Sequence, residues 1–476
     1  MRSRKEQVQA HRFVSHRLIS ALLLGDPEST ETPMRRIGLS VMGSVMVMAV
    51  IAAAFGIYGV FKQGGGKPQA DVLIIEEETG VRYLYGSLAG ANSKPALYPV
   101  LNYSSARLIL NKPEVETVTM SQNSLRDYPR GLPLGIPNAP DTLPLPENLT
   151  QNGTAWNVCS SSPRPAASGL VTQVIVQNLT GGELPGDKAV LVQDSAGKDE
   201  FLLLNDKRFH VTAFAKTALG ITNQPIPVTK KVIDALPAGP DLDQIRVTNA
   251  GGNSNRPVVG STAKVGAVFT TSGKFFVLTD RGLIPVGAVA AKLLGGETEP
   301  IPASASDINS ALAPDAGGIE KPGFPQEVPV AKQVTGDHTA ICGVYTPGAG
   351  IQVMTYGHAP EDLVIPDNTT LIDTTGLADR VVLPGGRGVL AQDQPTDGAT
   401  SGQTVYLINQ QGNKYGLVAS QGSDPKAALG YSSVTPVLVP GSFLNLLPSG
   451  VALSQHAALQ KVIETAPDQT PDPAAS

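Results

Sequence analysis

Hydrophobic positions are spread unevenly along the chain, and its clearest patterns fall in the first sixty residues. Residues 37–61, IGLSVMGSVMVMAVIAAAFGIYGVF, run 25 positions without a charged side chain. As a helix this run rises about 37 Å, more than a hydrocarbon core of roughly 30 Å, so it can span a bilayer with some tilt. Charges are costly at that depth, which fits their absence. Arg35 and Arg36 stand just before the run and Lys62 just after it. Ahead of it, KEQVQAHRFVSHRLISALLL (residues 5–24) sets Val14, Leu18 and Leu22 one turn apart, with Val8, His11 and Ser15 near the same side. The spacing predicts an amphipathic helix that ends at Asp26-Pro27. Such a helix either docks on a cytoplasmic partner or lies in the headgroup layer. Its narrow apolar face favours the partner.

Flanking charge orients the span. Residues 1–36 carry seven basic side chains (Arg2, Arg4, Lys5, Arg12, Arg17, Arg35, Arg36) against four acidic ones, whereas Lys62 and Lys67 alone follow the span closely. The positive-inside rule then puts the N-terminus in the cytoplasm and the rest of the chain outside. A cleaved signal peptide fits poorly. The apolar run is longer than a signal's 7–15 residues, and no small-residue cleavage site follows Phe61.

Beyond residue 70 the apolar pattern shortens to strand-like alternation and repeats itself. Ala218-Leu219-Gly220 precedes Leu236-Pro237 by much the same spacing as Ala428-Leu429-Gly430 precedes Leu447-Pro448, with 16 and 17 residues from Gly to Leu. A third copy has Gly295 followed after 17 residues by Leu312, and a less regular fourth spans 81–88 and 121–136. Each copy reads as short strands, a helical turn stopped by Gly, and a second helix ended at a Leu-Pro step. Units this small bury little alone and are expected to pack on one another or on a core. Between copies, LVTQVIVQ (170–177) and GIQVMTYG (350–357) alternate like strands of one sheet.

Composition narrows the class. The 50 Gly and 39 Pro, with aromatics at 5%, suit short strands and turns, and a hydrophobic content of 41% is enough for true cores. The region after residue 36 holds 29 basic and 37 acidic residues, a net charge near −8 that argues against nucleic acid as a partner. Two cysteines, Cys159 and Cys342, both follow the span. An even count in an oxidising compartment predicts one disulfide, with two buried thiols as the alternative. A bridge over so long a separation contributes at most about 5 kcal/mol through the unfolded chain. It would pin a central domain built from two distant segments.

Catalytic motifs are sparse. No G-x-x-x-x-G-K-[ST] loop occurs to cradle phosphate. The nearest fragments are Gly64-Gly65-Gly66-Lys67-Pro68 and Gly273-Lys274-Phe275, and LIIEEE (73–78) is a strand ending in acid. GGRGVLA (385–391) contains G-x-G-x-x-A but lacks a βαβ context, so it reads as a turn. No G-x-S-x-G or H-E-x-x-H is present. After the span the histidines are His210, His338, His358 and His456. A metal or acid–base site near Asp337-His338 or His358 is weaker than a structural reading, and no cofactor or metal site is assigned.

The opening RKEQVQAHRFVSHRLISALLLGDPE, the PMRRIGLSVMGSVMVMAVIAAAFGIYG span, the GGGKP that follows, the repeat ends, the spaced cysteines and the VALSQHAAL terminus together resemble the EccB component of type VII (ESX) secretion systems of actinobacteria. The resemblance covers essentially the whole chain. It implies an α+β fold: one transmembrane helix, then an elongated extracytoplasmic region with a disulfide-closed β-rich central domain and four small repeats resembling phage-lysin peptidoglycan-binding modules. The expected division begins with a cytoplasmic tail (1–36), the span (37–61), a linker (62–70) and repeat 1 (71–146). The first segment of the central domain (147–198) comes next, then repeat 2 (199–245) and repeat 3 (246–318). The second segment of the central domain (319–393), repeat 4 (394–456) and a flexible tail (457–476) complete it. The family implies a structural role in a plasma-membrane secretion complex. Implied partners are an FtsK/SpoIIIE-like motor ATPase, a multispan channel subunit, a further membrane subunit and other copies of the chain. Peptidoglycan binding is the alternative, and ATP hydrolysis, sometimes described for the family, is a second one.

Overall fold

A computed structural model describes residues 4–25, 33–62, 66–88, 94–150, 153–164, 169–186, 188–296, 298–314, 318–336, 338–367, 369–372, 375–394, 404–420 and 422–462. Backbone contacts divide the chain into two compact units, residues 1–99 with 116–131, and residues 100–115 with 132–476.

In the first unit, α1 (Arg4–Leu24) and α2 (Pro33–Lys62) are continuous helices. Within α2 the window Gly38–Phe55 has a mean hydropathy of 2.1 and none of it is buried. That is the pattern of a helix whose apolar surface faces lipid. Four strands follow: β1 (Leu73–Glu76), β2 (Arg82–Gly86), β3 (Ala96–Pro99) and β4 (Thr117–Met120). They form a sheet in the order β3-β2-β1-β4, with β4 parallel to β1 and the other pairs antiparallel. Helix α3 (Tyr103–Leu110), which lies between β3 and β4 in sequence, belongs to the second unit, while α4 (Gln122–Leu125) follows β4 in the first.

After α3, the second unit continues with β5 (Trp156–Ser161) and β6 (Val171–Val176). It continues with β7 (Lys188–Asp194), β8 (Glu200–Leu204), β9 (Lys207–His210), α5 (Ala213–Leu219), β10 (Ile226–Val228) and α6 (Lys230–Ala235). Next come β11 (Val268–Thr271), β12 (Lys274–Thr279), β13 (Gly282–Val286), α7 (Ala288–Gly295), β14 (Ile301–Pro302) and α8 (Ala305–Ala311). They are followed by β15 (Val330–Ala331), β16 (Ala340–Thr346), β17 (Gly350–Tyr356) and β18 (Arg380–Val382). The last elements are β19 (Val389–Asp393), β20 (Val405–Ile408), β21 (Lys414–Leu417), α9 (Pro425–Ala428), β22 (Val437–Val439), α10 (Gly441–Leu444) and α11 (Gln455–Ala458).

One path recurs four times. Three antiparallel strands are followed by a helix, and a fourth strand then returns parallel to the first, as β4 does on β1, β10 on β7, β14 on β11 and β22 on β19. A short helix follows each time. The second sheet draws its first strand from residues 188–194, upstream of 199, and the fourth from 389–393, upstream of 394. Alternation marks these segments as strands but carries no information on which sheet they join.

Each repeat closes in the same way. After the last helix the chain forms a parallel bridge back to the third strand: Leu97↔Arg130, Arg208↔Ala238, Leu283↔Leu312 and Lys414↔Ser449. The next residue donates its N–H to that strand. In three repeats this residue is a glycine lying against an aromatic ring. A Cβ on Gly131 would fall 2.2 Å from the Tyr98 ring, on Gly239 2.2 Å from the Phe209 ring, and on Gly450 2.3 Å from the Tyr415 ring. The third repeat has Ala313 at this position, and Ile284 in place of the ring residue.

Strands β17-β16-β5-β6-β18 form a five-stranded central sheet, which includes both alternating segments singled out above. Its register places Cys159 directly opposite Cys342, and the two form a disulfide. The pairing is self-complementary, since β5 and β16 each open a hairpin that precedes a repeat. The exchange extends outward on both sides. β15, upstream of β16, adds in parallel to β7, and Leu149, upstream of β5, pairs in parallel with Gly388 at the start of β19. Helix α7 packs on α5, and α3 packs on α9. Within the second unit the two segments are thus tied by like contacts: β5 against β16 at the disulfide, β15 on β7, and Leu149 on Gly388.

Candidate functional site

The motif fragments with possible chemistry fall in structural positions. Ser272 and Gly273, both with positive φ, form the tight turn between β11 and β12, so Lys274 starts a strand rather than a helix. No phosphate cradle of the P-loop kind forms there. Gly385 and Gly386 turn the chain into β19, with the Gly386 N–H donating to Gln410. Glu76 is buried at the end of β1, where its carboxylate accepts from Thr79 and pairs with Arg130. His210 packs edge-on to Phe201, His338 and His358 pair through their backbones in an isolated parallel bridge, and His456 lies on α11. Among the described residues no group of three metal-ligating side chains comes together. Gly64, Gly65, Asp337 and the expected tail beyond residue 462 lie outside the described residues.

One surface and one junction carry the architecture. On α1, Val14, Leu18 and Leu22 are exposed one turn apart, as is Val8. Phe13 lies off this stripe, with the Arg17 guanidinium over its ring at 5.3 Å. Arg35, Arg36 and Lys62 fall within α2 by backbone, and their side chains are outside the described ones. The junction surrounds the disulfide, whose two cysteines are fully buried. Trp156, Val158, Val174 and Ile341 on one face of the central sheet share a single core with Val190, Val192 and Leu203 of the second sheet and Val389, Ala391 and Ile408 of the fourth. Cys159, Ile175, Cys342 and Tyr356 line the other face, beneath Leu363.

Gly343 marks the point of closest approach. A Cβ there would lie 2.8 Å from Leu236, at the end of α6, and 3.8 Å from Phe443 of α10. The Ser442 hydroxyl donates to the Ala235 carbonyl at 3.1 Å, joining the same two helices. Polar ties reinforce the junction. Asp379 accepts from Lys231 at 2.8 Å and from the Thr172 N–H at 2.6 Å, and the Thr229 N–H donates to Ser160 at 3.0 Å. Partly buried polar groups of this kind cost little once paired and fix the register when they are. Gln173, fully buried, accepts from Arg380 and donates to the Leu363 carbonyl.

Charge states follow the surroundings. The hydrogen bond and charge of Lys332 hold the Glu183 carboxyl below its usual range. The Gln244 N–H and the Thr212 hydroxyl do the same for Asp243. Burial pushes the Lys414 ammonium down, and that group donates to the Leu444 carbonyl at 2.6 Å, at the end of α10. Burial raises the Tyr431 phenol, whose hydroxyl donates to the Pro144 carbonyl.

These features define a membrane-anchored repeat protein whose halves are locked by one disulfide. Residues 2–466 match the family described as "Type VII secretion system ESX-1, transport TM domain B", and the chain belongs to this EccB family of type VII secretion. It is 26% identical to the ESX-3 secretion system ATPase EccB3 of Mycolicibacterium smegmatis, over 96% of this chain and 90% of that one. It is 27% identical to the ESX-1 secretion system ATPase EccB1 of Mycobacterium tuberculosis, over 96% and 94%. Among solved structures it resembles a chain of an intact ESX-5 inner membrane complex, with a TM-score of 0.63 and 23% identity over 100% of this chain and 98% of that one. It also resembles the EccB3 dimer from the ESX-3 core complex, with a TM-score of 0.61 and 24% identity over 82% of this chain and 100% of that one. At these identities the likeness to solved structures is one of fold.

Three elements of the junction were beyond sequence reasoning: Gly343, Asp379 and the exchanged strand β15. Recurrence of Ala-Leu-Gly and of the closing Leu step was the available signal for the repeats, and the cysteine count was the signal for the bridge. Nothing in the local pattern marks a glycine that meets a helix from another repeat.

Proposed function

We propose that the chain is a structural subunit of a type VII secretion membrane complex, held in the plasma membrane by α2 with its N-terminus in the cytoplasm. The observation that carries this reading is the family match over residues 2–466, which takes in the span and everything beyond it. The excess of Arg and Lys before the span supports the orientation. Helix α1 offers the exposed stripe of Val14, Leu18 and Leu22 to a cytoplasmic neighbour, a motor ATPase or a multispan subunit of the same machine. The extracytoplasmic region then self-associates, as the dimeric EccB3 of the ESX-3 core complex does. The division into four repeats around a central domain of two segments is our reading of its organisation.

Deleting residues 8–24 tests the docking role. Mild-detergent extraction followed by native sizing should show the intact chain in a large assembly and the deletion outside it, with the extracytoplasmic region still folded. An intact complex built with the deleted chain would refute the docking role. Peptidoglycan binding through repeats that resemble phage-lysin modules is a second reading, supported by the four-fold recurrence of one sheet path. Pull-down by purified peptidoglycan no stronger than that of a charge-matched control would exclude it. The relatives are named as ATPases, but this chain has no P-loop, and we assign any hydrolysis in the complex to the motor subunit.

A further inference from the structure

In every repeat the returning strand lies at the edge of its sheet. A helix follows each one, with Ser121 as the N-cap after β4, Thr229 after β10, Ser304 after β14 and Pro440 after β22. Counting back from the cap aligns the four strands. Four positions before it stand Pro225, Pro300 and Pro436 in the second, third and fourth repeats, but Thr117 in the first. Two positions before it stand Pro227, Pro302 and Leu438, but Thr119 in the first. The ladder bonds show what these positions do. The Leu73 N–H donates to the Glu116 carbonyl and the Glu77 N–H to the Met120 carbonyl. In this parallel register Glu116, Val118 and Met120 bond to β1, and Thr117 and Thr119 turn their N–H and C=O groups outward. The bonds from Ser195 to Val228, from Ala303 to Thr270 and from Gln394 to Val439 likewise leave Pro227, Pro302 and Leu438 outward, the last between Pro436 and Pro440. Proline has no N–H to offer, and placing it on an edge is a recognised way to stop a sheet from pairing further. Three edges are blocked in this way and β4 is not. Thr117, Val118 and Thr119 are exposed, and among the described residues nothing pairs with the outer side of β4.

We propose that β4 pairs antiparallel with β4 of a second copy of this chain, about a two-fold axis at Val118, so that two four-stranded sheets become one. The proposal rests on the self-association argued above and names the surface that carries it. The register selects a like strand. With the axis at Val118, Thr117 of one copy lies opposite Thr119 of the other, and the two exchange both backbone hydrogen bonds. Cross-strand threonine pairs of this kind are favourable. Val118 meets its own counterpart in the closer, non-hydrogen-bonded pair. It shares a face with Met120, which is 3% exposed in the core of this sheet beside Ile74, yet Val118 itself is 36% exposed. A second valine covers the apolar surface that the open edge leaves bare. Glu116 falls opposite Met120 of the other copy, so no like charges meet. A slip that centred the pair on Glu116 would set two carboxylates side by side, which disfavours it.

Cysteine cross-linking in membranes, with two differently tagged full-length copies expressed beside their native neighbours, tests this. Val118→Cys should link the two tagged copies by a disulfide, because the Cα atoms of such a pair lie about 4.5 Å apart. Leu438→Cys on the blocked fourth edge and Val259→Cys, both exposed positions, should not. Thr117→Pro, the residue that the other three repeats carry at this position, should lower the Val118→Cys linkage by about tenfold, the effect of losing a symmetric pair of backbone hydrogen bonds. Thr117→Lys with Thr119→Lys in both copies sets like charges opposite one another and should do the same with the backbone untouched. Pairing that copy with one carrying Thr117→Glu and Thr119→Glu should restore the linkage. Linkage at Val118 no stronger than at the two controls, linkage that ignores both the proline and the lysine variants, or linkage to a different polypeptide would overturn the proposal. Native sizing of the same membranes separates the two readings. A chain found in the large assembly without Val118 linkage refutes the β4 edge alone, whereas a lone monomer refutes the self-association beneath it as well.

Discussion

The closing glycine of each repeat gives the sharpest energetic prediction. In the second repeat, a Cβ at residue 239 would fall 2.2, 2.5 and 2.7 Å from three carbons of the Phe209 ring. Carbon atoms in contact sit about 3.5 Å apart, so Gly239→Ala must drive the ring back by roughly 1.3 Å. Phe209 is 2% exposed and embedded among Leu191, Leu202 and Leu219, so it has no free direction in which to move. The φ of Gly239 is not positive, which leaves the ring contact as the source of strain. Overpacking of this kind costs about 1–3 kcal/mol, and a rigid ring places the cost near the upper figure. Phe209→Ile alone loses volume and costs about 1–1.5 kcal/mol. The third repeat, with Ile284 facing Ala313, implies that the double variant relieves the clash. Its cost should stay near 1–1.5 kcal/mol, where additivity demands about 4, a coupling of roughly 3 kcal/mol. Urea unfolding of the full chain in detergent, followed by far-ultraviolet circular dichroism, measures each corner of the cycle. A Gly239→Ala variant as stable as the parent, or an additive double variant, would refute the reasoning.

Three further outcomes follow from the junction and from the charges. Replacing both Cys159 and Cys342 by Ala should lower stability by up to about 5 kcal/mol through the freed unfolded chain, while the native circular dichroism is kept, because β5 and β16 are already paired along six residues; a loss of the folded spectrum would show that the bridge creates the sheet. Gly343→Val should cost about 1–3 kcal/mol by wedging Leu236 and Phe443 off the central sheet, and limited proteolysis between 236 and 343 should quicken; unchanged cleavage would place the contact elsewhere. The depressed carboxyls of Asp243 and Glu183 contribute stability that is present above the ordinary carboxylate range and lost as pH falls through their folded values, so Asp243→Asn with Glu183→Gln should flatten the melting temperature between about pH 5 and 3, and a curve parallel to the parent's would contradict the assignment.

What the sequence determined by itself is local or counted. The charge-free run of 37–61 sets a helix by its length, and Val14, Leu18 and Leu22 share a face of α1 because helical periodicity needs only near neighbours. Two cysteines in the region after the span were enough to predict one bridge. The recurrence of Ala-Leu-Gly ahead of a closing Leu marked the repeats, since each is a contiguous stretch with its own caps. Tertiary structure decided the rest. β7 and β19 alternate like any strand, and their membership of the second and fourth sheets depends on partners across the fold, which alternation does not encode. The exchange of β15 and Leu149 between halves joins segments more than a hundred residues apart. Nothing local in the sequence sets Gly239 or Gly343 apart, yet each is small because a ring or a leucine from elsewhere occupies the space its side chain would need.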